Sequence, residues 1–221
     1  MPVRVLAVDD SVLFRTKLQL TLSKDPDIKI VGTAVDADDA LRKILELKPD
    51  VVTLDVELPK MSGIEFMKTL MKQHPVAVVV VSSLPMNAID AMSAGAVDFV
   101  KKPADGSVGS VNAFFDELAE KVKVAAGAKV RNTALAGPST LSVRLMGNAS
   151  LAPDKADVIA IGASTGGTEA IIEVVKNLPP TTPGVVIVQH MPAGFTTMYA
   201  QRLDKICKMS AKEAADGGRV E

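Results

Sequence analysis

Val3-Arg4-Val5-Leu6-Ala7-Val8 stops on Asp9-Asp10, and three further apolar runs stop on polar residues in the same way. Val51-Val52-Thr53-Leu54 is followed by Asp55, residues 76–81 by Ser82, and Phe99-Val100 by Lys101-Lys102-Pro103. With Ile28–Ala34 these make five runs rich in Val and Ile and almost wholly apolar, as strands buried on both faces are. Amphipathic segments near 12–22, 37–47, 63–73, 86–94 and 108–124 lie between and after them. Ser62 with Glu65 has capping-box spacing, and Gly95 stands where a helix would end. Strand and helix alternating five times predict an α/β fold, a (βα)5 doubly wound parallel sheet. In such a sheet, Asp9, Asp10, Asp55, Ser82 and Lys102 meet at one edge, outside the carboxyl ends of the strands.

Composition narrows the classes. The chain has 221 residues, within the range of one or two domains. Aromatics are only 3% with no Trp, so the cores must be built from Val, Leu, Ile, Ala and Met. A net charge of −1 argues against nucleic acid or an anionic membrane held by bulk charge. The single Cys207 has no internal disulfide partner, which points to a reducing compartment. No signal-peptide pattern opens the chain, and the apolar runs are too short to span a bilayer, so direct membrane insertion is not expected. A cytoplasmic location is expected.

The organisation reads in three parts. Residues 1–124 hold the five alternations. Residues 125–154 mix Ala, Gly, Ser, Thr, Asn and Pro138 with little periodicity and read as a linker. Residues 155–221 resume the alternation, with strands at 158–161 and 185–188 and helices at 168–177 and 196–205. Two strands and two helices do not bury a doubly wound sheet, so this second domain is expected to be incomplete, with apolar surface exposed between about 158 and 210.

Three crowded carboxylates raise one another's pKa unless a cation intervenes. A hard divalent ion with oxygen ligands, Mg2+, resolves that conflict. A carboxylate can then act as nucleophile toward phosphorus, with Lys102 and Ser82 contacting the transferring oxygens. Strand ends often carry Asp simply because loops begin there. It is the full set at the first, third, fourth and fifth strand ends that favours the phosphoryl reading. Lys102–Pro103 is a candidate cis bond.

In the second part, Gly162-Ala163-Ser164-Thr165-Gly166-Gly167 follows a strand and opens a helix, matching the G-x-S-x-G turn that exposes a serine. His190 ends the next predicted strand, and adjacent parallel strands would bring it to the same sheet edge. Three readings of the turn stay open: a nucleophile with His190 as base, a phosphate cradle, and a plain helix cap. No Lys follows Gly167, and the glycine spacing does not fit G-x-G-x-x-G, which weakens the cradle. Glu169, Asp204 and Asp216 are the nearby acids, and none sits at a strand end. His74, before Pro75, reads as an exposed helix terminus.

The first part resembles the receiver domain of bacterial two-component response regulators over its whole length, through Asp9-Asp10-Ser11, Thr53-Leu54-Asp55, Pro59, Ser62-Gly63, Val81-Ser82, Gly95-Ala96 and Lys102-Pro103. Together with residues 159–167 and Gln189-His190-Met191-Pro192, the chain resembles the CheB-type chemotaxis protein-glutamate methylesterases. The resemblance implies Asp55 as phospho-acceptor and Mg2+ held by Asp10, Asp55 and the Glu57 carbonyl, with Asp9 in support. It implies that Ser82 and Phe99 move together on phosphorylation; Phe99 also fits an ordinary core aromatic. It implies Ser164 as nucleophile, His190 as base, and an aspartate beyond Glu221 as third member, with no cofactor for the esterase. Implied partners are a histidine kinase as phosphodonor and methyl-accepting chemoreceptors, whose glutamate methyl esters are hydrolysed and certain glutamines deamidated. The unphosphorylated receiver is implied to block the esterase site. An alternative is a non-catalytic phospho-accepting module that docks to kinase or receptor.

Overall fold

The fold is described from a computed structural model over residues 1–83, 85–128, 130, 158–192 and 194–220, with backbone only at 85–88. Nearly all of the linker expected over 125–154 lies outside the described residues.

Five strands, β1 (Val3–Val8), β2 (Ile28–Ala34), β3 (Val51–Asp55), β4 (Ala77–Ser82) and β5 (Asp98–Lys101), form a parallel sheet in the order β2-β1-β3-β4-β5. The strand alternation sorts their side chains into two cores. Leu6, Val8, Val52, Leu54, Val78, Val80 and Phe99 face α2 (Ala37–Leu47), α3 (Gly63–Gln73) and α4 (Pro85–Ser93). Val5, Ala7, Val51, Val79, Val81 and Val100 face α1 (Val12–Leu22) and α5 (Val108–Ala125). This is why the strands read as unbroken apolar runs: neither face meets water. The order reverses between β1 and β3, which opens a crevice at their carboxyl ends.

Local signals end the elements where they should. Ser11, Asp36, Ser62 and Ser107 each accept a hydrogen bond from the backbone N–H three residues on, capping α1, α2, α3 and α5. Gly63 begins α3 directly over the end of β3. A Cβ there would lie 2.3 Å from the Asp55 carbonyl oxygen and 2.9 Å from Val56 Cα, so only glycine lets the helix start this close to Asp55. Among the described residues every peptide bond is trans, Lys102–Pro103 included, so the expected cis candidate is corrected. The strand runs on to Lys101, and Lys102 N–H is satisfied by the Ser82 carbonyl at 2.9 Å, so an extended trans chain already delivers the lysine to the sheet edge.

One buried ion pair stiffens the β5 edge. Lys121 of α5, 5% exposed, donates to Asp98 at 3.1 Å and to the Phe99 carbonyl at 2.7 Å, and pairs with Glu117 at 2.9 Å. Removing one partner of a buried pair strands the other in low dielectric. Lys121→Met is expected to lower stability by about 3–5 kcal/mol in a urea melt.

A second parallel pair, β6 (Ile159–Ala163) and β7 (Val185–Gln189), packs α6 (Gly167–Val175) and α7 (Phe195–Ile206) through Ile171, Ile172, Val175, Tyr199 and Leu203. These strands are as apolar as the first five, yet Ile159, Val186 and Val188 are exposed. The two units touch. Phe195 of α7 is fully buried among the α4-side core, its ring stacked on Phe99 at 4.6 Å between centroids. Ile89 of α4 packs into the second core, and Gly166 N–H donates to the Val97 carbonyl at 3.1 Å.

Candidate functional site

At the crevice, β1 places Asp9 and Asp10, β3 places Asp55, and the residue after β5 is Lys102. Asp9 and Asp55 are 2% and 3% exposed, while Asp10 faces solvent. Lys102 Nζ bridges them, 2.9 Å from Asp9 Oδ2 and 2.6 Å from Asp55 Oδ2, and sits 4.7 Å from the centre of the Phe14 ring. The other carboxylate oxygens are held by backbone: Ser11 N–H donates to Asp9 Oδ1 and Glu57 N–H to Asp55 Oδ1. Arg15 donates to the Asp9 carbonyl at 2.6 Å. Burial pushes the Asp55 carboxyl above the ordinary carboxylate range, the Asp9 charge adds to this, and the Lys102 ammonium opposes it. Burial works to lower the Lys102 pKa, but its bonds to Asp55 and Asp9 leave it raised, so it stays an ammonium. Ser82 ends β4, almost fully buried, and pairs in register with Lys101. The predicted set therefore comes together: Asp9, Asp10, Asp55, Ser82 and Lys102 share one sheet edge.

Three oxygen ligands, one from each of Asp9, Asp10 and Asp55, lie within 4.8 Å of one another. They are hard donors around an opening that exposed Asp10 leaves toward solvent. The set fits a hard divalent cation, and Lys102 alone offsets only part of its negative charge.

The second site is built on β6 and β7. Ala163 and Gln189 pair in register, so Ser164 and His190, the next residue of each strand, stand side by side. His190 N–H donates to the Ala163 carbonyl at 3.1 Å. Gln189 Nε2 donates to the Ser164 carbonyl at 2.9 Å and to the His190 carbonyl at 3.1 Å. Both Ser164 and His190 are exposed, and among the described residues Ser164 Oγ makes no hydrogen bond. The helix-cap reading of Ser164 is set aside: the N-cap of α6 is Gly166, in the left-handed region at φ 74°, with no side-chain cap bond. Two of the three nearby acids are engaged elsewhere, and Asp216 is exposed in the 216–217 turn. Glu169 pairs with Arg202 at 2.9 Å, and Asp204 accepts from Ala211 N–H. A cavity of about 450 Å³ between β7, α7 and the 209–220 segment is lined by neither Ser164 nor His190. His74 is the exposed C-cap of α3, as expected.

Two family models match the chain in order, the response regulator receiver domain at residues 5–108 and the CheB methylesterase at 159–221. The response regulator domain of Thermotoga maritima CheB, a crystal structure, is 41% identical with a TM-score of 0.55, over 58% of this chain and 99% of that one. The chain belongs to the CheB family. A protein-glutamate methylesterase/protein-glutamine glutaminase of Syntrophotalea carbinolica is 49% identical over 224 residues, 99% of this chain and 63% of that protein. One from Syntrophomonas wolfei is 48% identical over 219 residues, 99% of this chain and 62% of that protein. The chain thus spans less than two thirds of the length of these CheB-family relatives. No helix among the described residues is long and apolar enough to cross a membrane.

Three residues that shape the two units carry no local sequence signal for what they do. Gln189 stands beside His190 in the chain, but its partner lies 25 positions away. Phe195 reads as one apolar residue of an amphipathic helix, and Lys121 as a surface lysine. Only the wide apolar stripe of α5, with buried Phe114, Leu118, Val122 and Ala125, hints that Lys121 faces inward.

Proposed function

We propose that residues 1–124 are a phospho-accepting receiver, residues 125–154 a linker and residues 155–221 the N-terminal part of a methylesterase domain. In this reading, phosphoryl transfer to Asp55 controls hydrolysis of glutamate methyl esters on methyl-accepting chemoreceptors, and deamidation of their glutamines, in the cytoplasm. The observation that carries it is the Lys102 ammonium bound to both Asp9 and Asp55 beside a third carboxylate, Asp10.

Asp55 is the nucleophile. One of its oxygens forms a bond to phosphorus as the phosphorus–nitrogen bond of a kinase phosphohistidine breaks, and the imidazole leaves. Lys102 moves from the carboxylates to the phosphoryl oxygens, and the Ser82 hydroxyl donates to another. Asp10, Asp55 and the Glu57 carbonyl would hold Mg2+, with Asp9 in support; when bound, the ion neutralises charge on the phosphoryl group. In the second domain, Ser164 Oγ attacks the ester carbonyl while His190 takes its proton, then returns it to the departing methanol. Water, deprotonated by His190, releases the acyl group as glutamate. The reading keeps the third member of the triad, an aspartate, downstream of Glu221.

The Phe99–Phe195 stack is the proposed link between the two events. Phe99 lies at the aromatic switch position with no hydroxyl, so packing against Phe195 is how its rotamer is felt in α7. The Val97 carbonyl holds a backbone N–H of the serine turn, which ties that turn to the receiver. Methanol release from methylated chemoreceptors, with and without a small acyl-phosphate donor, tests the reading in the protein encoded by the complete reading frame. The expected result is release stimulated by the donor; release that never depends on the donor, or none at all, defeats it. Phe195→Ala removes a fully buried ring and is expected to lower stability by about 3–5 kcal/mol. Its hydrolysis without donor should rise above wild type, and an unchanged basal rate would remove the stack from the coupling.

A further inference from the structure

We infer that Gln189 is a positioning residue for ester hydrolysis, its carboxamide clamping the nucleophile strand to the base strand; this rests on reading Ser164 and His190 as nucleophile and base. The hydrogen-bond ladder between β6 and β7 ends at the register pair Ala163 and Gln189. The two residues that matter are each one step past it. One backbone bond still crosses there, from His190 N–H to the Ala163 carbonyl at 3.1 Å, but among the described residues no β7 backbone group reaches the Ser164 carbonyl. A displacement of about 1 Å between reacting groups costs on the order of a hundredfold in rate. Gln189 closes that gap. Its Nε2 carries two hydrogens and spends one on each carbonyl, Ser164 at 2.9 Å and His190 at 3.1 Å.

Two observations show that the amide is built into the turn. A Cβ on Gly167 would lie 2.2 Å from Gln189 Oε1 and 2.5 Å from Ala163 Cβ, so the first residue of α6 must lack a side chain for the amide to fit. Gln189 Oε1 is buried with no hydrogen-bond partner. Leaving an acceptor unpaired is a cost, and here the donor half of the same group is what the turn uses. The Ser164 carbonyl also accepts from Gly167 N–H at 2.7 Å, so the clamp and the first turn of α6 converge on one oxygen.

The test uses the protein from its complete reading frame. Gln189→Met keeps the length and removes the donors. Gln189→Glu keeps the shape and turns acceptors toward two carbonyls. Gly167→Ala displaces the amide without altering it. Steady-state methanol release from methylated chemoreceptor gives kcat and KM, with active sites counted by covalent labelling with a fluorophosphonate, and melting temperature is followed alongside. The expected result is a kcat per labelled site lower by about tenfold or more, with Glu worse than Met and KM held within about twofold. The fluorophosphonate labelling rate, which senses the Ser–His geometry without the receptor, should fall in step. A purely structural role predicts instead fewer labelled sites, each with wild-type kcat, and that result overturns the clamp. If Gln189→Met does not fold, the labelling rate of Gly167→Ala decides in the same way: a wild-type rate overturns the clamp. Ser164→Ala separates the two claims. If it still hydrolyses ester, the nucleophile assignment fails; if it is inactive while Gln189→Met matches wild type, only the clamp fails.

Discussion

Asp55→Asn is expected to leave the chain unable to take a phosphoryl group from acetyl phosphate, as followed by incorporation of labelled phosphate. The amide has nearly the shape of the carboxylate and keeps an oxygen for the Glu57 N–H, while Lys102 gives up its bond to residue 55 and keeps the one to Asp9. What it loses is the anionic oxygen that attacks phosphorus, and neither neighbour replaces it. Asp9 is buried, with one oxygen on Lys102 and the other on the Ser11 N–H. Asp10 is exposed, and Lys102 is bonded to Asp9 and Asp55 rather than to it. The same substitution should raise the urea midpoint at neutral pH. Burial raises the Asp55 carboxyl above its ordinary 3.8, so the folded state binds that proton more tightly than the unfolded chain. Stability from this group is therefore present below 3.8 and lost as pH rises through the raised folded value. Asn removes that loss. A variant that still incorporates phosphate moves the acceptor to another residue, and one that melts lower at neutral pH contradicts the crowding of the three carboxylates.

The legible part of this fold was the part where burial leaves no choice. β1, β3, β4 and β5 sit between two layers of helix, so their sequences stay apolar until the chain leaves the sheet, and the first polar residue marks the edge. That is why Asp9, Asp55, Ser82 and Lys102 could be placed from composition along the chain. Boundaries moved by one or two residues, as with Ala163 and Gln189 joining their strands, because the backbone ladder continues past the last bulky side chain. In β6 and β7 the same apolar pattern has only two strands and two helices to cover it, and the apolar exposure expected between about 158 and 210 is there, with Val188 68% exposed. The helix-cap reading of Ser164 was undecidable from the sequence, since serine, threonine and glycine in one turn all suit a cap. The structure gives that place to Gly166, whose positive φ excludes most other residues. Phe195, Lys121 and Gln189 were illegible for a common reason. Their partners lie far along the chain, and a residue's own neighbours say nothing about a contact made across two elements.

Ser164→Ala is the sharper test of the second site, because the structure isolates the hydroxyl from everything else the residue does. The carbonyl of residue 164 carries the local architecture, accepting from Gly167 N–H and from Gln189 Nε2, and alanine retains it. The side chain is exposed, and Oγ makes no hydrogen bond among the described residues, so the loss of stability should stay within about 0.5 kcal/mol. Hydrolysis is a different matter. Without Oγ no acyl-enzyme forms, His190 has no proton to take from a nucleophile, and only backbone polarisation of the ester remains. Methanol release from methylated chemoreceptor is expected to fall by about ten-thousand-fold or more. Phosphoryl incorporation at the first site should be unchanged, since Asp55 and its neighbours belong to a separate sheet. That pairing of results is what the two-site architecture requires. A chain that loses both activities together has lost its fold, which the melt will show, and one that keeps its esterase activity draws its nucleophile from outside the β6–α6 turn.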